Sequence, residues 1–380
     1  MKARRYKRAL LLAARTLLAL TFLLSGWLKA NDPVGFALKV ADYAAAIGLT
    51  DSPLLGRLAA GGMLATVEWT LGLMLLCGFH RRLTAIAASL FMLAMTAVTL
   101  WLVATNPVSD CGCFGDMLVL THGQSLAKNL LLLAVALALV RWGRRLPRLL
   151  SNGSAWMVWL PGALACLAYA AWCVATLPKA DFRPYYVGAD LVAARSGKAQ
   201  TDYDVKIVYR RAGEELLLAA DDPDPDSTWT YIETRSIPRS RSRIDTWLNH
   251  HGDVAELWME DGSGGDPTDD ILASPVPTLL LTLPDMDTAD DGQAGILNLL
   301  YDYAREQQWT FVCLTASDSS AQARWTDYTG AEYTAWRADE RTLWTMVRAN
   351  PGLLLIEDGI VRDKWSSWNL PVPEEISLTH

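Results

Sequence analysis

Apolar side chains come in long unbroken runs through the first 180 residues and in short alternating stretches after that. Five runs, at 9–28, 54–79, 83–104, 126–143 and 155–177, each approach the ~20 residues that a helix needs to cross bilayer hydrocarbon. They predict five transmembrane helices, four forming a bundle and a fifth leading out of it. The stretch DPVGFALKVADYAAAIGL, residues 32–49, is too polar to span. It predicts an amphipathic helix that lies on the outer surface or folds back over the bundle. Beyond residue 180, YDVKIVYRR, ELLLAA and WTYIETRS alternate with period two and read as strands. The first two are joined in a hairpin at Ala212-Gly213. From 277 the pattern becomes strand (TLLLTL), helix (292–308), strand (TFVCLTAS), helix (319–329) and helix (ERTLWTMVRA). A strand and hairpin turning at Asp358-Gly359 follow.

Charge divides the chain at the same place. Residues 1–179 hold 17 of the 34 basic and 6 of the 41 acidic side chains, so the two halves carry +11 and −18. This division argues against a cytosolic enzyme and a nucleic-acid binder, and six cysteines are too few for a disulfide framework. Lys2, Arg4, Arg5, Lys7 and Arg8 precede the first run, His80, Arg81 and Arg82 separate the second from the third, and Arg141, Arg144, Arg145 and Arg148 separate the fourth from the fifth. Placing all three clusters inside gives a single topology: a cytoplasmic amino terminus and residues 180–380 on the far side. In a bacterial inner membrane that side is the periplasm. A cleaved signal peptide is the competing reading for 1–28, but Arg15 interrupts its apolar stretch and no small-x-small site follows.

Glu68 falls near the middle of the second apolar run, with Arg15 in the first and Lys29 and Arg57 near helix ends. A carboxylate at that depth needs a partner or a function. An ion pair with Arg57 or Lys29 competes with proton handling or ligand contact. Gly61, Gly62, Ala65 and Gly72 favour close helix contact beside Glu68.

The loop after the third run reads Asn106-Pro-Val-Ser-Asp-Cys111-Gly-Cys113-Phe-Gly-Asp116. A Cys-Gly-Cys pair can close a small strained disulfide ring, and Gly112 tolerates the backbone angles required. Strain makes such a bond a ready oxidant. Asp110 and Asp116 disfavour a thiolate here, and Lys128 opposes them. Reduced buried thiols, a metal site and a permanent disulfide are the competing readings; His122 alone does not complete a four-ligand metal set.

These features resemble the MauE family of methylamine-utilisation membrane proteins, a group allied to DoxX-like four-helix membrane proteins. The likeness rests on the Cys-Gly-Cys-Phe-Gly loop, Ser25-Gly26-Trp27-Leu28-Lys29, Glu68, Gly78 before His80-Arg81-Arg82, and Lys128-Asn129, over residues 8–145. It implies a membrane component tied to thiol–disulfide chemistry that supports maturation of an extracytoplasmic client such as methylamine dehydrogenase. Cys111 and Cys113 would be the redox pair, and Glu68 and Lys29 supporting residues of the bundle. The methylamine link does not carry over, because this chain adds a fifth helix and a large outer region.

The pattern after 277 resembles a thioredoxin-like fold, with Pro351 where that fold places a proline, usually cis, beside the active site. The dithiol is missing: the helix entry assigned to it, Ala316-Ser317-Asp318-Ser319-Ser320, has no cysteine. Ser317, Asp318 and Ser320 are expected to cap the helix. Cys313, inside a strand, reads as core, and Cys77 as packing. Cys166 and Cys173 share a helix face, with Cys173 a conceivable resolving thiol. The acidic stretches DDPDPDS and GDPTDDIL lack the regular spacing of a calcium loop and read as solvated.

The expected fold class is thus an all-α transmembrane four-helix bundle (1–150) with a fifth transmembrane helix (151–179). An extracytoplasmic β-rich α+β region (180–276) and a thioredoxin-like α/β domain without CxxC (277–380) complete it. The expected function is thiol–disulfide exchange or client maturation through Cys111 and Cys113, with Glu68, Lys29, Lys128 and Pro351 in support. The expected partners are the lipid bilayer and an extracytoplasmic client protein, with no nucleic acid. No motif marks a cofactor, and a quinone as electron acceptor has no motif either. The alternative is a membrane-anchored assembly or scaffold protein with a structural cysteine pair. Small-molecule transport is disfavoured by the absence of broken-helix repeats.

Overall fold

The computed structural model describes residues 2–49, 53–108, 111–149, 151–199, 203–211, 214–219, 228–238, 254 and 257–377. The Ala212-Gly213 turn, the acidic run 221–227 and Asp110 lie outside the described residues.

Five helices are long and apolar enough to cross a membrane: α1 (Lys2–Asn31), α3 (Leu54–Cys77), α4 (Arg81–Thr105), α5 (His122–Trp142) and α6 (Trp156–Thr176). The polar stretch after α1 forms α2 (Pro33–Ala46), which folds back against α3 and α6 with Pro33, Val34 and Ala37 buried. Pro33 suits a first-turn position, where its missing N–H costs nothing, and Asp32 caps the helix by accepting from the Gly35 N–H at 2.8 Å. Helix α1 packs chiefly on α3, and α4 on α5.

Small residues set the α1–α3 approach. A Cβ on Gly26 would lie 2.7 Å from the Trp69 nitrogen, and one on Gly72 would lie 2.7 Å from Leu23. Gly61 meets Phe36 of α2, and Ala65 is fully buried. Gly62 is different: it faces open space and plays no part in the contact.

The basic clusters gather at one end of the bundle. There Arg15 donates to the Pro147 carbonyl at 2.7 Å, Arg81 donates to the Leu146 carbonyl, and the Leu149 N–H reaches the Cys77 carbonyl at 3.0 Å. The cysteine loop and the remainder of the chain lie at the other end.

Past α6 and α7 (Leu191–Ala199), the chain forms a three-stranded antiparallel sheet from β1 (Tyr203–Arg211), β2 (Glu214–Ala219) and β3 (Thr230–Pro238). Its order is β2-β1-β3, with Arg211 opposite Glu214, as the predicted hairpin requires. The helix α8 (Thr268–Leu272) then leads to a mixed five-stranded sheet. Its members are β4 (Thr278–Leu283), β5 (Thr310–Thr315), β6 (Ala335–Arg337), β7 (Gly352–Glu357) and β8 (Ile360–Ser366). The order is β6-β5-β4-β7-β8, with β4, β5 and β6 parallel and β7 antiparallel to both its neighbours. Three residues of β6 are too few for a periodic signal, and sequence reading missed the strand.

Helices α9 (Ala294–Glu306) and α10 (Ser319–Thr329) cover one face of this sheet, burying Leu297, Leu300 and Trp325 against Leu279 and Leu281. Helix α11 (Glu340–Met346) and the segments around Leu191 and Leu257 cover the other, against Leu280 and Leu354. Coverage on both faces explains why β4 reads as an unbroken apolar run. The short α12 (Pro373–Ser377) ends the described chain and seats Ile376 in the first of these cores.

Candidate functional site

The cysteine loop is held from below by α1 and from the side by α2. The Ser25 hydroxyl donates to the Cys113 carbonyl at 2.8 Å, and the Lys29 ammonium reaches the same oxygen at 3.1 Å. Tyr43 of α2 donates to the Cys111 carbonyl at 2.9 Å. Gly112 between them has φ +65°, and a Cβ there would sit 3.0 Å from the Lys39 side chain. The glycine is therefore required both for backbone angle and for space. The Gly115 N–H closes the turn on the Gly112 carbonyl at 3.3 Å.

Of the two cations expected for Glu68, Lys29 is the partner. Its ammonium lies 2.8 Å and 3.1 Å from the two carboxylate oxygens and 2.7 Å from the Ser25 hydroxyl. Lys29 and Glu68 are both about 3% exposed. Ser25 and Lys29 stand four apart on α1, so one helix face presents both to the loop. The buried pair thus does two jobs: the charges satisfy each other at membrane depth, and the spare ammonium hydrogens hold the cysteine backbone.

Both cysteines are free thiols, Cys111 buried and Cys113 half-buried. The Cys111 and Cys113 thiols interact across Gly112. That interaction is the foremost cause lowering Cys113 from the ordinary thiol value of 9.0 to about 6; burial opposes it, Lys128 and Lys29 assist, and Glu68 resists. Cys111 moves the other way, raised first by its neighbour and then by burial. Negative charge is therefore favoured at Cys113 over Cys111. The Lys128 ammonium stands 4.4 Å over the Phe114 ring and lines the same cleft as Cys113.

Among the described residues, the outer region reaches this loop through the Arg348 side chain. Arg348, buried just after α11, donates to Asp32 at 3.1 Å, to Asp116 at 3.2 Å and to the Trp344 carbonyl at 2.7 Å. Asp32 thus uses one oxygen to cap α2 and the other to hold Arg348. Burial alone would raise the Asp32 carboxyl, but Arg348, Arg183 and the Gly35 N–H outweigh it and hold it below 3.8. Asp116, expected to disfavour a thiolate, is instead occupied by Arg348. Further ties fix the same junction. Asn31 accepts from the Ala180 N–H at 3.1 Å and donates to its carbonyl at 2.7 Å, and Asp181 is bound by Arg183 and Lys364, both at 2.8 Å. Arg341 pairs with Asp42.

Pro351 is buried three residues beyond Arg348, and the Asn350–Pro351 bond is cis. The segment facing this turn follows β4, not β5. The Asn350 amide donates to the Asp285 carbonyl at 2.6 Å, and the Asp290 N–H donates to the Asn350 carbonyl at 3.0 Å. This corrects the assignment of 316–320 as the stretch beside Pro351. The reason is topological: β4 is the strand paired with β7, and its exit carries 284–290 to that turn. Ser317 touches the segment only by accepting from the Met286 N–H at 2.9 Å. Asp318 caps α10 by accepting from Ala321 at 2.9 Å, with Ser320 bonded to it.

Among the sequence candidates, Cys111, Cys113, Lys29, Glu68 and Lys128 come together, and Pro351 lies apart on the outer sheet. Cys313 is wholly buried in β5, where burial raises its thiol. Cys166 and Cys173 are buried in α6. Sequence reasoning missed Ser25 as a loop donor, Tyr43, Asp32 and Arg348. The four-residue spacing of Ser25 and Lys29 was a usable signal; Arg348 had none.

No curated protein matches the chain. Residues 7–141, which hold α1 to α5, the cysteine loop and the Lys29–Glu68 pair, match the family model described as methylamine utilisation protein MauE, and this part of the chain is similar to that family.

Proposed function

We propose that the protein is a membrane thiol–disulfide exchange component in which Cys113 attacks as the thiolate and Cys111 resolves. The observation that carries this reading is a pair of cysteines on either side of Gly112, in a turn whose flanking carbonyls are both fixed by side chains. A thiolate is the nucleophile of disulfide exchange, and cations nearby favour it. Lys29 supports the loop and the charge together, and Lys128 adds to the charge. The basic clusters at the opposite end of the bundle support an extracytoplasmic position for the loop. We read the outer five-stranded sheet as a thioredoxin-like module in which the segment 284–290 stands where a dithiol would be, and which binds or orients a client protein.

The test is oxidation of a reduced, unfolded ribonuclease by the purified full-length protein, first charged to its disulfide form. Wild type forms disulfides in the substrate, and Cys111→Ser and Cys113→Ser do not; equal rates in all three would sink the proposal. In Cys111→Ala the pH at which Cys113 becomes alkylatable moves up from about 6 toward 9.0, because the interaction with the Cys111 thiol is gone.

The burial of Cys111 and the Arg348 lock favour a second reading, a membrane-anchored scaffold with a structural cysteine pair. In that case both serine variants lower stability and leave client thiols unchanged.

A further inference from the structure

Charge is sorted end to end along the membrane part of the chain. The three basic clusters, with Arg15, bring twelve of the 34 Lys and Arg residues to the end of the bundle opposite the cysteine loop. No Asp or Glu lies in 1–31, 69–109 or 117–180, the segments that build this end. The chain itself therefore offers these cations no carboxylate.

The segment 143–149 is pinned across the same end. Arg15 and Arg81 hold its consecutive carbonyls, those of Pro147 and Leu146, and the Leu149 N–H bonds to Cys77. Leu146 is buried, and Gly78 makes room for the crossing, since a Cβ there would sit 2.8 Å from the Pro147 oxygen. Arg15 and Arg81 thus direct these hydrogen bonds at neutral carbonyls, which leave their charge uncompensated. Arg144 and Arg148, on either side of the pinned carbonyls, are exposed, as is Arg82 at the start of α4. Exposed Leu83, Trp142, Leu149 and Trp156 stand at this end with them. Tryptophan favours the boundary between hydrocarbon and headgroups, which places the exposed guanidiniums near the depth of lipid phosphates.

We propose that this face binds anionic phospholipid, with the exposed guanidiniums of Arg82, Arg144 and Arg148 meeting the headgroup phosphate. A guanidinium presents paired donors that match phosphate oxygens, and a basic face beside hydrocarbon concentrates anionic headgroups. The mixture of arginines with exposed tryptophan and leucine selects lipid over a soluble anion. Only a lipid brings phosphate to the guanidiniums and an acyl chain to their apolar neighbours. Bound phosphate relieves the repulsion among the arginines and holds the segment 143–149 in place. The inference is independent of the exchange reading.

The experiment uses the full chain in nanodiscs of phosphatidylcholine, alone or mixed with phosphatidylglycerol. Lipid retention is read by native mass spectrometry, and the segment 143–149 by hydrogen exchange. Phosphatidylglycerol should be retained in preference and should slow exchange over that segment. The triple variant Arg82→Gln, Arg144→Gln and Arg148→Gln should weaken its retention at least about tenfold, a loss of about 1.4 kcal/mol. Removing the same charge from the start of α1, by Arg5→Gln, Lys7→Gln and Arg8→Gln, should leave most of the retention. Arg82→Lys, Arg144→Lys and Arg148→Lys together should fall between wild type and the first triple, so misfolding of the glutamine variant does not decide the matter. Equal exchange in the two lipids, or equal loss in the two glutamine variants, would overturn the site. The same protection by inorganic phosphate or an oligonucleotide in phosphatidylcholine discs would overturn lipid as its occupant.

Discussion

Two turns, one on the bundle and one on the outer sheet, are built differently. The turn at 111–115 has two thiols, a left-handed glycine and carbonyls held by Ser25, Lys29 and Tyr43. The turn at 284–290 has Asp285, Asp287 and Asp290, no sulfur but that of Met286, and hydrogen bonds that tie it to Asn350, Ser317 and Arg324 and to its own residues. One is surrounded by cations that favour a negative sulfur; the other holds acidic groups that would oppose one. On the proposed reading the chemistry belongs to the bundle, and the outer region supplies Arg348 and Arg341 to the junction.

The sharpest way to break this comparison is to remove the reactive sulfur. Cys113→Ser should abolish exchange, whereas Asp287→Asn in the other turn should leave it intact, as read by disulfide formation in a reduced substrate. Next in size is the buried ion pair. Lys29→Met leaves Glu68 uncompensated and should destabilise the bundle by about 3–5 kcal/mol, with Lys29→Met/Glu68→Leu recovering much of the loss. Thermal unfolding in detergent compares the two.

The junction comes third. Arg348→Ala removes charged hydrogen bonds that are worth about 1.5–3 kcal/mol each when buried, discounted at Asp116 because that carboxylate is partly exposed. The variant should expose the loop, seen as faster hydrogen exchange over 111–117. The same junction should loosen in acid. Asp32 is held below its ordinary 3.8, so its contribution is complete above that value and is lost as pH falls through the lower folded one. Smallest of all, Ser317→Ala should change stability by less than about 1.5 kcal/mol and leave the cysteines as they were.

The legibility of each part followed its length scale. The spanning helices were readable because burial in lipid demands long apolar runs, and β4 because both its faces are covered. The Cys-Gly-Cys turn declared its own geometry through Gly112. The Lys29–Glu68 pair was narrowed to two partners by the cost of a lone buried charge. Arg348 was invisible because its partners lie 232 and 316 residues away, and nothing in local pattern encodes that approach. The exit of β4 was misplaced for a related reason: strand order is a long-range property, and the helix entry at 316–320 has better local capping signals than the one at 284–293.

The central claim is that Cys111 and Cys113 exchange electrons, and the redox state of the pair in intact membranes tests it most directly. Differential alkylation with mass spectrometry, before and after mild reductant and again after its removal, should show a disulfide that opens and re-forms. A bond that resists reduction in the folded protein, or thiols that stay free throughout, would contradict the account.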